Sequence, residues 1–118
     1  MKKSFALLLF FCAIFTLAQE RKHTATENVK IISEKFEIPQ LKTTRRIWIY
    51  LPKDYETSHK KYDVMYLQDA QNLFDDATSF AGEWQVDETL NKIFEKTGKS
   101  LIVVGIDNGG QKRIEELS

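Results

Sequence analysis

The chain has 118 residues, 42% of them hydrophobic and 29% charged, which fits one ordinary globular domain and excludes a disordered or fibrous chain. Seventeen basic residues balance seventeen acidic ones without clustering, so nothing marks a nucleic-acid surface. The single cysteine, Cys12, excludes an intrachain disulfide framework.

Lys2 and Lys3 precede an apolar run over residues 5–17, and Thr16 and Ala18 put small residues at the −3 and −1 positions of its end. This is the layout of a secretory signal peptide, residues 1–18, cleaved after Ala18. The run is shorter than the ~20 apolar residues of a spanning helix, so cleavage is expected rather than a lasting membrane anchor. Phe11 before Cys12 is too large for a lipoprotein processing site. The 118 residues less these 18 leave 100, with 15 basic against 17 acidic and no thiol. The expected location is periplasmic or extracellular.

Residues 19–28 are polar and aperiodic and read as a flexible arm. Residues 29–38 set Ile32, Phe36 and Ile38 among Lys and Glu, the pattern of a half-exposed strand closed by Pro39. Residues 45–51 alternate, with Ile47, Ile49 and Leu51 on one face and Trp48 and Tyr50 on the other; both faces carry large residues and are expected to be covered. The short link between the two runs predicts an antiparallel pair. After a polar loop at 52–61, residues 62–67 predict a third strand. A long connection over 68–82 leads to a helical pattern at 83–97, where Val86, Leu90, Ile93 and Phe94 share a face. Glu83, Asp87 and Glu88 lie in or near its first turn and suit the helix dipole, and Gly98 is placed as its C-terminal cap. Residues 101–106 (LIVVGI) are wholly apolar, as in a central parallel strand buried on both faces.

The fold class is therefore α/β: an antiparallel β-β pair, then a parallel β-α-β unit with a right-handed crossover. The last twelve residues are too few to cover the second face of such a sheet, so the domain is expected to be the front part of a longer one.

Little in the residues speaks for a complete catalytic apparatus. His23 and His59 lie in Lys-rich polar stretches without partners at ligand spacing, so no metal site is expected. None of Ser33, Ser58, Ser79, Ser100 or Ser118 has the flanking glycines of a G-x-S-x-G elbow. Gly109-Gly110 lacks the further glycine or lysine of a phosphate loop. The informative segment is 66–75 (YLQDAQNLFD), which leaves the C-terminal end of a strand, where open α/β sheets bind ligands. Asp69 there has two readings, a hydrogen-bond partner for a substrate hydroxyl or an Asx-type cap on the loop. Trp84 likewise reads as a binding platform or as packing.

Taken in order, YDVMYLQDAQNLFDD, then Trp84 with Asp87 three residues on, then LIVVGIDNGGQKRIEEL resembles an esterase family of the α/β-hydrolase superfamily that takes in esterase D-like enzymes, enterochelin, feruloyl and acetyl-xylan esterases and the mycolyltransferases. The family's R-x-I-x-I-Y-L-P-x-x-Y is matched over residues 45–55, and the resemblance spans 43–117. It implies that residues 29–118 are the N-terminal portion of an α/β-hydrolase-like esterase domain acting on small-molecule or glycan esters without a cofactor. By that resemblance the backbone N–H of Gln71, and next that of Ala70, supply half of an oxyanion hole. Asp69 and Trp84 line the substrate cleft, and Arg113 and Glu116 form a structural ion pair. Ala70 stands where the family has glycine, so a positive φ there is expected to be strained. The family's serine, acid and histidine follow this segment in chain order, so the 118 residues alone are expected to be inactive. The competing reading is a non-catalytic exported binding module using the Asp69 loop, Trp84 and the aromatics Trp48, Tyr50, Tyr62 and Tyr66.

Overall fold

The computed structural model describes residues 21–117, with side chains to residue 115. The leader expected at 1–18, Gln19 and Glu20, and the Glu116 side chain lie outside the described residues. Strand β1 is Val29–Ile38, β2 is Thr43–Tyr50, β3 is Val64–Gln68 and β4 is Ile102–Ile106. Helix α1 is Val86–Thr97 and the short helix α2 is Arg113–Leu117. The strands form one mixed sheet in the order β1-β2-β4-β3. β1 pairs antiparallel with β2, β2 antiparallel with β4, and β3 parallel with β4. The antiparallel pair and the β-α-β unit expected from the sequence are both present, joined through β4. Among the described residues no helix is long and apolar enough to cross a membrane.

Register decides which residues meet. Tyr50 lies opposite Val103 and Trp48 opposite Gly105, so these four share one face of the sheet. Against that face pack Ala70, Leu73 and Phe74, all buried, from the connection after β3. Val29, Leu67, Val86, Leu90 and Leu101 complete this core. Each fully buried large side chain contributes roughly 1.5–3 kcal/mol of transfer free energy. The connection is thus a core element as much as a loop.

The opposite face is different. The sequence led to the expectation that both faces of β2 and β4 would be covered. Ile47 is buried, but Ile49, Ile102, Val104 and Ile106 are only half-buried, and on β3 Val64 and Tyr66 are exposed, Tyr66 by 72%. The reason is geometric: α1 and the connection before it pack on the Trp48–Tyr50 face alone.

Residues 21–28, read from sequence as a flexible arm, are tied across the molecule. Arg21 donates to the Ser79 carbonyl (2.6 Å), and the Thr24 N–H donates to Asp75 Oδ1 (3.0 Å). The Thr26 N–H donates to Asp87 Oδ2 (2.8 Å) and Asn28 Nδ2 to the Leu51 carbonyl (2.8 Å). Polar side chains from distant segments supply these acceptors, which local periodicity does not reveal. Helix α1 begins at Val86 rather than at residue 83, because Gln85 takes a left-handed conformation (φ 58°) just before it. Gly98 caps it as expected, at φ 68°, donating its N–H to the Phe94 carbonyl (2.8 Å).

Within the core, the Tyr50 hydroxyl donates to Asn91 Oδ1 (2.8 Å), which also accepts from Asn28 Nδ2 (2.9 Å). Tyr50→Phe is expected to cost about 1 kcal/mol, since Asn91 Oδ1 keeps its second donor and is not left bare. Urea unfolding checks this: the midpoint falls with an unchanged slope.

Candidate functional site

The parallel strands β3 and β4 end side by side, and the loops that leave them build one wall. After Gln68 the chain turns sharply. Asp69 adopts φ 58°, ψ 40°, and a single 3₁₀ turn follows over Ala70–Asn72. The left-handed residue is Asp69 rather than Ala70, so the strain expected from having alanine at position 70 does not arise. Asp is among the residues that tolerate this region best. The turn's own bonds run from the Asn72 N–H to the Asp69 carbonyl (2.9 Å) and from the Leu73 N–H to the Ala70 carbonyl (3.1 Å). The N–H groups of Ala70 and Gln71, at its start, therefore fall outside its hydrogen-bond ladder.

The loop after β4 is stitched to this turn. Gln71 Nε2 donates to Asn108 Oδ1 (2.8 Å), and the Asn108 N–H donates back to Gln71 Oε1 (3.0 Å). Asn108 Nδ2 donates to Asp69 Oδ1 (2.9 Å). Arg113, at the start of α2, donates from Nε to Asp69 Oδ1 (3.2 Å) and from Nη2 to Asp69 Oδ2 (3.1 Å). Asp69 makes no side-chain cap on its own turn; its carboxylate is a cross-loop tie. Arg113 pairs with Asp69, and the Glu116 side chain, the partner that the resemblance implies for it, lies outside the described residues. These ties, with the Asn108 bonds, lower the Asp69 pKa, Arg113 having the largest effect and Asn108 the next.

Two hollows flank this wall. One, of about 190 Å³, is lined by Ile38, Leu41, Arg45, Asp69, Asn108 and Arg113 among others. The other, of about 750 Å³, lies against Asp69, Gln71, Thr78, Phe80, Asn108 and Arg113. Asp69 and Gln71, singled out in the sequence, therefore come together at the rim of the sheet. Ala70 lies beneath them, wholly buried. Trp84 is not among the lining residues of either hollow. The residue is 71% exposed, two positions before α1, with its N–H on the Asn72 carbonyl (2.8 Å). Asn108 carries no distinguishing signal in the sequence, because one asparagine in a Gly-rich turn looks like turn chemistry.

Asp69→Asn is expected to lower stability by roughly 1 kcal/mol at neutral pH, a modest effect because Arg113 is half exposed. The folded-state pKa of Asp69 lies below its unfolded value, so the pair stabilises fully above about pH 4 and this stabilisation is lost as pH falls through the folded value. Thermal melts from pH 7 to pH 3 should show the two proteins converging only at the acid end.

On the far side of the turn, Trp48 Nε1 donates to Asp107 Oδ1 (2.8 Å). Burial raises the Asp107 pKa, opposed by the Trp48 bond and the Arg46 charge. This contact fixes the end of β4 from the core side.

The model of the family described as "Putative esterase" matches residues 38–117 of this chain. No curated protein matches it.

Proposed function

The chain belongs to this esterase family, and from that premise we propose that it forms part of an exported serine-type carboxylic ester hydrolase with an α/β-hydrolase-like sheet. The observation that carries the reading is the turn at residues 69–72. It leaves a parallel strand at the sheet's C-terminal rim, where such folds place their chemistry. Its first two N–H groups lie outside the turn's ladder, and its side chains are locked to the neighbouring loop. In acyl transfer a donor must be in position before charge develops on the carbonyl oxygen, because reorganisation during the step raises the barrier. Asn108 and Arg113 supply that rigidity. The Gln71 N–H, with Ala70 beside it, would be one half of the oxyanion hole. The other half is the N–H after the serine, and no G-x-S-x-G occurs in these 118 residues. Asp69 and the hollows beside it would face an ester of a small molecule or a glycan. The layout of residues 1–18 supports export and removal of the leader, with Gln19 as the first residue of the exported form.

The test is hydrolysis of p-nitrophenyl acetate. The 118-residue chain alone should release nitrophenol no faster than buffer, whereas a protein carrying this segment together with a G-x-S-x-G serine should be active. Turnover by the chain alone would overturn the assignment of the nucleophile. The reading as a binding module loses support from Trp48 and Tyr50, which lie in the core and present no face to a saccharide.

A further inference from the structure

At the start of α1, away from the proposed oxyanion turn, three acidic side chains converge. Glu83, Asp87 and Glu88 each offer one carboxylate oxygen, and the three oxygens lie within 4.8 Å of one another. Asp87 is 0% exposed. Its Oδ2 accepts the Thr26 N–H (2.8 Å), while its Oδ1 is buried with no hydrogen-bond partner. Oε2 of Glu83 and Oε2 of Glu88 are buried and unpartnered in the same way, and Glu83 Oε1 accepts the Thr24 hydroxyl (2.7 Å). Among the described residues no lysine or arginine forms an ion pair with any of the three.

A buried carboxylate oxygen without a donor is costly, and three carboxylates together add mutual repulsion. The helix N-terminus offsets part of one charge only. A cation among the three would reverse both penalties. Oxygens around one calcium ion at about 2.3–2.6 Å lie at most about 5 Å apart, which accommodates the observed spread. All-oxygen, carboxylate-rich donors select hard divalent ions over zinc or copper.

We propose that Glu83, Asp87 and Glu88 bind a hard divalent cation of the calcium class, which ties the 21–28 segment to the start of α1. The arm contributes through Thr24 and Thr26, which fix one oxygen each of Glu83 and Asp87 and leave the others for the ion. The site stands independently of the esterase reading.

The test uses the whole chain and terbium as a calcium probe, sensitised through the indole of Trp84, the neighbour of Glu83 in sequence. Luminescence should rise saturably and be displaced by calcium chloride. Thermal melts should rise with calcium relative to EDTA. Glu88→Gln and Asp87→Asn should each weaken terbium binding by about tenfold or more. Glu88→Gln keeps shape and half-buried packing, so it reports on the site even if Asp87→Asn folds poorly. Luminescence that fails to saturate overturns the proposal, as does equal binding in the Glu88→Gln protein. So does a Glu88→Gln protein that melts higher than the parent with no response to calcium, because the cluster is then held by a proton.

Discussion

In an active esterase carrying this segment, Gln71→Pro is expected to lower kcat by roughly 10²–10³-fold while leaving KM nearly unchanged. Proline removes the backbone N–H proposed to meet the oxyanion. Loss of one such donor costs about 2.7–4 kcal/mol of barrier, felt in the transition state and little in the bound ester. Position 71 is the second residue of the 3₁₀ turn, so its N–H takes no part in the turn's own bonds. Gln71→Ala is the control, since it keeps the N–H but breaks both bonds to Asn108. It should fall by a smaller factor, because the turn loses rigidity and not its donor. Far-UV circular dichroism and melting of both variants separate misfolding from lost chemistry. If Gln71→Pro retains kcat within about threefold of Gln71→Ala, the Gln71 N–H is not the donor.

The second large effect is expected at Gly105, in β4. A Cβ built there would lie 2.8 Å from Ala70 Cβ and 3.3 Å from Phe74 Cε2. Ala70 and Phe74 are wholly buried, and neither contact is the end of a flexible chain that can swing away. The glycine is required by this close approach, not by its backbone angles. Gly105→Ala should cost about 1–3 kcal/mol and Gly105→Val more. Total stabilities of small domains are about 5–15 kcal/mol, so the valine protein should lie near the edge of folding. Because the clash is with Ala70, the displacement falls on the turn that carries the Gln71 N–H. Adding Ala70→Gly to Gly105→Ala should recover part of the loss, and urea unfolding of the four proteins gives the coupling directly. If the two substitutions are additive, the predicted contact is absent.

Much of the fold was legible because its signals are local. The alternation of Ile47, Trp48, Ile49 and Tyr50 marks a strand by period two, and Val86, Leu90, Ile93 and Phe94 mark a helix by period 3.6. Gly98 as a cap follows from the left-handed conformation that ends a helix. The importance of residues 69–71 was also visible, but only as a word in an ordered set of family motifs. Spacing alone left Asp69 open between substrate contact and loop cap, and its engagement by Asn108 and Arg113 is a third arrangement. Those partners lie 39 and 44 residues away, beyond the reach of any periodicity.

The acidic residues illustrate the same boundary. Glu83, Asp87 and Glu88 are readable in the sequence as charges suited to a helix start. That Asp87 is wholly buried, with Thr26 on one oxygen and none on the other, depends on where residues 21–28 cross the helix.

The sequence by itself determined the elements, their order and the family, because backbone periodicity, capping and short motifs are properties of neighbouring residues. Only the tertiary structure decided that β4 enters between β2 and β3, that one sheet face is covered and the other left partly bare, and which polar groups lock the turn at Gln71. Those outcomes rest on pairing and burial between distant segments, whose energies depend on shape and mutual position, and neither can be read along the chain.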